Sequence, residues 1–302
     1  MVRAAIRGAA GATGVNVSTE THVNGNGRAA QALFRRARLL SWFGRRQQAL
    51  ALCRQAVTHG DYSHAYTLMS RLSLPGEDYF AVLGRIHRYL KPQTYLEIGV
   101  SKGKSLKRVL AETAVIGVDP EPKLAKPLGN NQKLFTATSD DFFAQHDPRA
   151  EFGGRPVDMT FIDGMHRFEF ALRDFINVER YCARSSVILM HDCYPLDART
   201  AQREQQTGFW SGDIWRLLLL LRERRPDLVV RTIATPPTGL GIVLNPDPES
   251  RVLGAQVDEL IREYLAKDFS VLEGRQSEAL GLVANEWPAI RALLDARMRS
   301  QP

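Results

Sequence analysis

The chain has 302 residues, 44% of them hydrophobic and 24% charged, and its 40 Lys and Arg against 33 Asp and Glu give a formal net charge of +7. Length and composition fit one soluble globular domain with extensions, and no apolar run approaches the roughly 20 residues that a bilayer span requires, so no membrane partner is expected. The positive charge is local: residues 1–75 hold ten Arg against Glu20 and Asp61, and the remaining 30 basic and 31 acidic groups nearly cancel, so no phosphate-binding groove is expected in the core.

Residues 1–26 are rich in Gly, Ala, Asn and Thr with little to bury, and are read as a disordered leader. Arg3 and Arg7 precede no apolar block, so no export signal is expected and the cytoplasm is assigned. Cys53, Cys182 and Cys193, an odd count without a CxxC pair, argue against a disulfide framework or a cysteine zinc site. Residues 27–92 are read as a helical region, a cap over a site or a surface for a homodimer. Ala30, Leu33, Phe34, Ala37 and Leu40, then Ala49, Leu52, Cys53 and Val57, recur at helical spacing. His59-Gly60-Asp61 breaks that pattern, a helix over 63–72 completes a hairpin, and another over 78–90 leads into the core.

From 93 to 248 the texture changes to short β-branched runs alternating with helices. Strands are expected at 94–98, 115–118, 133–137, 157–162, 186–190, 229–233 and 241–244, with helices starting at Lys104, His166 and Asp213. This order predicts a doubly wound α/β fold with a mostly parallel, seven-stranded, Rossmann-like sheet. The turn-rich stretch 235–239 joins the last two strands into a hairpin that adds an antiparallel edge. Residues 249–302 form a C-terminal extension with helices near 252–265 and 286–298.

The strongest local pattern is Glu97-Ile98-Gly99-Val100-Ser101-Lys102-Gly103-Lys104-Ser105, a strand entering a glycine-bearing turn. In open α/β sheets ligands sit at the carboxyl ends of strands near the switch point, where glycine admits close approach. The pattern ExGxxxGxS differs from the dinucleotide GxGxxG, which disfavours a nicotinamide dehydrogenase. A carboxylate at Glu97 would repel a phosphate and suits a cationic ligand. Asp119 ends the next strand, where an acid can accept hydrogen bonds from both hydroxyls of a ribose. Ser139 and Asp140 follow the third strand, as adenine contacts or as an ordinary helix start. These residues in this order resemble the class I S-adenosylmethionine-dependent methyltransferases. The resemblance implies that Glu97, Gly99, Ser101, Gly103 and Ser105 surround the methionine part and Asp119 the ribose, with Asp163 also bordering the cofactor.

Two further clusters end later strands, Asp163-Gly164-Met165-His166 and His191-Asp192-Cys193. If those strands are parallel neighbours, Asp163, His191 and Asp192 meet above the sheet as a ligand set for a divalent ion, Mg²⁺ or another, that would lower the pKa of a bound hydroxyl. His166 is the candidate base, kept neutral by the positive end of its helix. Local readings stand beside these, with Asp163 as an N-cap and His191-Asp192 as a turn. The arrangement resembles the metal-dependent O-methyltransferases, of the catechol type and, in Asp-x-x-His, the macrocin type. Where that family carries a carboxylate, His191 stands here, which favours a softer transition metal. Phe209 and Trp210 are candidate walls of an acceptor pocket, Asp213 a helix cap, and Trp215 a core residue.

The activity implied is methylation of a hydroxyl on a small molecule, a natural-product sugar or a phenol. Two other readings compete. A nucleic-acid methyltransferase has only the basic N-terminal segment in its favour, and a degenerate methyltransferase fold serving as a scaffold must explain an intact Glu97, Gly99 and Asp119.

Overall fold

The computed structural model describes residues 20–125 and 127–296, with side chains from residue 27 onward. The expected leader lies outside the described residues up to residue 19, while residues 20–26 belong to the first helix. The chain divides into two units, Met1–Tyr62 and Ser63–Pro302. In the first, α1 (Glu20–Trp42) packs on α2 (Arg46–Thr58). Ala30 and Ala37 of one helix and Ala49, Cys53 and Ala56 of the other are buried, and side chains this small let two backbones approach closely.

The second unit takes up the next two helices, which the sequence grouped with the N-terminal region: α3 (Ser63–Ser73) and α4 (Tyr79–Leu90). It continues with β1 (Thr94–Ile98), β2 (Ala114–Val118), β3 (Gln132–Phe135), α5 (Ser139–Gln145), α6 (Pro148–Glu151), β4 (Val157–Ile162), α7 (Phe168–Glu179) and β5 (Cys182–Met190). Then come α8 (Trp215–Arg224), β6 (Val229–Ile233), β7 (Leu240–Leu244), α9 (Val257–Leu265), α10 (Gln276–Ala279), β8 (Leu282–Val283) and α11 (Trp287–Ala296). The helix expected from Lys104 is only a single 3₁₀ turn, Leu106–Arg108. Side-chain bonds hold the following segment as a loop instead, Thr113 Oγ1 donating to Pro92 O and Asn131 Nδ2 to the carbonyls of Ala111 and Thr113.

The sheet has the order β3-β2-β1-β4-β5-β7-β6-β8. β7 runs antiparallel to β5 and β6 and the other pairings are parallel. The doubly wound fold and the β6–β7 hairpin are as expected. The eighth strand is an addition, two residues long and paired outside β6. Alternation along β1 sends Leu96 and Ile98 to one face and Tyr95 and Glu97 to the other. The first face packs on Leu172 and Phe175 of α7, Leu217 and Leu221 of α8 and Leu260 of α9. The second packs on Val82, Leu83 and Ile86 of α4 and Ile290 and Leu294 of α11. The five leucines 217–221 are all buried, each contributing about 1.5–3 kcal/mol. A buried pair, Arg225 with Glu179 through two 2.8 Å hydrogen bonds, ties the end of α8 to the end of α7.

Register matters most for the site. Ile98 pairs with Val118 and with Ile162, and Ile162 with Met190. Four adjacent strands therefore end level, and the next residues, Gly99, Asp119, Asp163 and His191, form a row at the place where strand order reverses between β1 and β4.

Candidate active site

A cavity of about 970 Å³ opens above that row, within the usual range for small-molecule sites. Gly99 makes its floor possible. Its φ is +86°, and a Cβ there would lie 2.1 Å from the backbone oxygen of Asp163. The turns after β1 and β4 thus touch at a point with no room for a side chain.

Asp119 is 8% exposed and lines the cavity. Its Oδ2 accepts from the Ser101 N–H at 2.7 Å and its Oδ1 from the Glu121 N–H at 2.7 Å, which fixes the carboxylate against the glycine turn. A carboxylate offers about four acceptor positions, so both oxygens retain capacity for a pair of ligand hydroxyls. Ser101 and Ser105 also line the cavity, and Gly103 forms the turn between them, its N–H donating to Val100 O.

Glu97 sits elsewhere than the sequence suggested. It is fully buried, is not among the lining residues, and accepts from Tyr95 Oη at 2.7 Å and Ser105 Oγ at 2.5 Å. Burial outweighs those hydrogen bonds and pushes its carboxyl up to about 8. The expectation of a charged Glu97 facing a cationic ligand is corrected accordingly. Period-two alternation places it on the Tyr95 face, where it anchors the turn through Ser105.

The later strand ends converge as expected. Asp163 Oδ1 lies 3.3 Å from His191 Nδ1, and Asp192 Oδ2 lies 3.3 Å from the same nitrogen. His166 Nε2 is 3.1 Å from Asp192 Oδ2 and 3.7 Å from Asp163 Oδ1. Asp163, His191 and Asp192 each offer a ligand atom within 4.8 Å of the others, a set of two hard oxygens and one borderline nitrogen suited to a divalent ion. Burial alone would lower the His191 pKa, yet the carboxylates of Asp192 and Asp163 raise it to about 10. Burial also opposes the charged form of His166, and Asp192 and Asp163 again reverse the sign. The expectation that a helix end keeps His166 neutral is corrected, because α7 begins only at Phe168 and the two carboxylates dominate.

The loop before α8 closes one side. Trp210 Nε1 donates to Gln202 O at 2.6 Å and its ring faces His166 at 5.3 Å, while Phe209 stacks on Tyr66 at 5.7 Å; both line the cavity. Asp213 does not cap α8, which starts at Trp215. Its Oδ1 accepts from the N–H of Phe168, so it caps α7 from a distant loop and holds the His166 turn in place. Trp215 is buried in the core. Ser139 and Asp140 open α5 behind the capping Thr138 and also line the cavity, Asp140 pairing with Arg173 at 3.2 Å.

The lining residues not singled out in the sequence include Tyr79, whose ring lies 3.9 Å from that of His191, Asp174 and Thr238. Asp174 Oδ1 is buried with no hydrogen-bond partner among the described residues, an acceptor left for a ligand. Its placement on the buried face of an amphipathic helix was the available signal. Thr238 gave none, because it stands in a turn 46 residues from the aspartate it touches.

Residues 96–193 match the family model described as a methyltransferase domain, a segment running from β1 through the cluster after β5. Among curated proteins none is similar enough in sequence to match. Solved structures similar to the chain include the O-methyltransferase TomG from Streptomyces achromogenes, involved in tomaymycin synthesis and in complex with SAM. It shows 16% identity and a TM-score of 0.43 over 55% of this chain and 78% of that one. Cofactor-bound Rv0187 from MTB shows 16% identity and a TM-score of 0.43, over 61% and 87%. An O-methyltransferase from Bacillus cereus in complex with SAH shows 14% identity and a TM-score of 0.39, over 57% and 84%. Among the described residues no helix is long and apolar enough to cross a membrane.

Proposed function

We propose that the chain is an S-adenosylmethionine-dependent methyltransferase acting on a hydroxyl of a small molecule such as a natural-product sugar or a phenol, assisted by a divalent ion. The observation that carries this reading is the row Gly99, Asp119, Asp163 and His191 at one level above the sheet, on one cavity, within the segment matching a methyltransferase domain. The residues fit the cofactor. Gly99 lines the cavity, Asp119 keeps acceptor capacity for the ribose hydroxyls, and Asp174 Oδ1 awaits a donor at the end where Ser139 and Asp140 suit the adenine. Lys102 and Lys104 on the wall give a carboxylate its counter-charge.

When bound, S-adenosylmethionine supplies an electrophilic methyl group on sulfonium. Asp163, His191 and Asp192 would hold the divalent ion, whose positive charge lowers the pKa of a neighbouring hydroxyl and offsets the pull of the carboxylates on the His166 proton. His166 would accept the proton of the acceptor hydroxyl at Nε2, readying that oxygen to take the methyl group while the C–S bond breaks and S-adenosylhomocysteine would leave as a neutral thioether. Phe209 and Trp210 exclude water and orient the acceptor, and positioning provides much of the acceleration.

The test is calorimetric titration with S-adenosylhomocysteine, with and without Mn²⁺, on the wild type, Asp119→Ala and Asp163→Ala. Loss of two charge-assisted hydrogen bonds, about 1.5–3 kcal/mol each, predicts affinity weaker by about 100-fold or more in Asp119→Ala. Asp163→Ala should lose the response to Mn²⁺. No binding by the wild type would reject the enzyme reading and leave a scaffold.

A further inference from the structure

We infer that Thr238, in the β6–β7 turn, is a positioning residue that sets which atoms of His191 and Asp192 are offered to a metal ion. The inference rests on the divalent-ion reading above. Thr238 is 2% exposed and its Oγ1 donates to Asp192 Oδ1 at 2.5 Å. That bond orients the carboxylate with Oδ1 toward the Thr238 hydroxyl and Oδ2 toward His166 and His191, so Oδ2 is the oxygen presented to a metal. The same hydroxyl oxygen lies 3.5 Å from His191 Nε2. Having spent its proton on Asp192, it can only accept, which favours N–H at Nε2 and the lone pair at Nδ1, the nitrogen beside Asp163 and Asp192. One side chain thereby selects a single oxygen from the carboxylate and a single tautomer from the imidazole.

The turn is built to keep that hydroxyl in place. Tyr194 N–H donates to Thr238 O at 2.7 Å, Ser70 Oγ to Pro237 O at 2.6 Å, and Gly239 N–H to Thr235 O at 2.8 Å. Asp192 itself has a φ of +59°, a left-handed conformation that few residues other than glycine adopt and that needs such support. The ring of Tyr79 lies against His191 at a tilt, so the imidazole is held by this ring contact as well as by the hydroxyl. Outer partners of this kind commonly change metal affinity 10- to 100-fold when removed.

Mn²⁺ and Co²⁺ are titrated into the full chain, free Mn²⁺ being read by electron paramagnetic resonance and bound Co²⁺ by its visible absorption, for the wild type, T238S, T238V and T238A. Thr238→Val keeps the shape and deletes the hydroxyl; Thr238→Ala guards against a packing fault, and a cooperative melt verifies each fold. Mn²⁺ binding about 10- to 100-fold weaker in T238V and T238A, with a changed Co²⁺ spectrum, and near-normal binding in T238S is the expected result. Unchanged Mn²⁺ affinity and Co²⁺ spectra in T238V and T238A overturn the inference while leaving the metal reading intact. A wild type that binds S-adenosylhomocysteine and neither metal removes the metal reading, and the role of Thr238 with it.

Discussion

Alanine at Gly99 would place a methyl group where the chain already has backbone. The new Cβ would lie 2.1 Å from Asp163 O, 2.4 Å from Asp163 C and 2.7 Å from Gly164 Cα, none of them the end of a flexible side chain. Two costs then add. A residue with a Cβ at a φ of +86° is strained by about 1–2 kcal/mol. Forcing apart the turns after β1 and β4 costs about 1–3 kcal/mol more. Gly153 isolates the first cost, since its φ is +67° and nothing lies within 4 Å of the position a Cβ would take. Urea denaturation followed by circular dichroism should show Gly99→Ala destabilised by about 2–5 kcal/mol and Gly153→Ala by about 1–2 kcal/mol. Since Asp163 is the residue displaced, Mn²⁺ affinity should fall in Gly99→Ala and not in Gly153→Ala. Equal stability of the two variants would refute the claim that the turns meet without room for a side chain.

Two further substitutions probe the buried charges. The carboxyl of Glu97 is raised to about 8 in the folded chain from 4.5, so the folded state holds a proton the unfolded chain has released, and stability falls as pH rises through that window. Denaturation at several pH values should show a decline of about 1.4 kcal/mol per unit in the wild type that Glu97→Gln lacks, and parallel curves would contradict it. Arg225→Ala leaves Glu179 buried without its partner and should cost about 3–5 kcal/mol in urea denaturation. A loss below about 1 kcal/mol, as for a surface pair, would mean that water reaches Glu179.

Much of the fold was legible because its signals are local. Val115–Val118, Val157–Ile162 and Val229–Ile233 are short, mostly apolar segments carrying β-branched residues and fold as strands where expected. What sequence alone missed depends on contacts between distant segments. The stretch after Lys104 has helix-forming residues, yet Thr113 and Asn131 hold it as a loop. Asp213 reads as the cap of the helix that follows it and caps a different one. In the site, Asp163, His166, His191 and Asp192 were readable from their positions after parallel strands. The direction of the Glu97 side chain was readable too, from its parity with Tyr95, but an acid beside a glycine turn suggested the opposite face. Thr238 could not be found, because only the hairpin brings it to Asp192.

The most direct measurement is a crystal structure of the chain grown with S-adenosylhomocysteine and Mn²⁺. The reading predicts density for the ligand from Gly99 and Ser101 to Asp119, with both ribose hydroxyls on the Asp119 carboxylate, and an anomalous peak for Mn²⁺ between Asp163, His191 and Asp192. Ligand density elsewhere, or a ribose with no contact to Asp119, would contradict it.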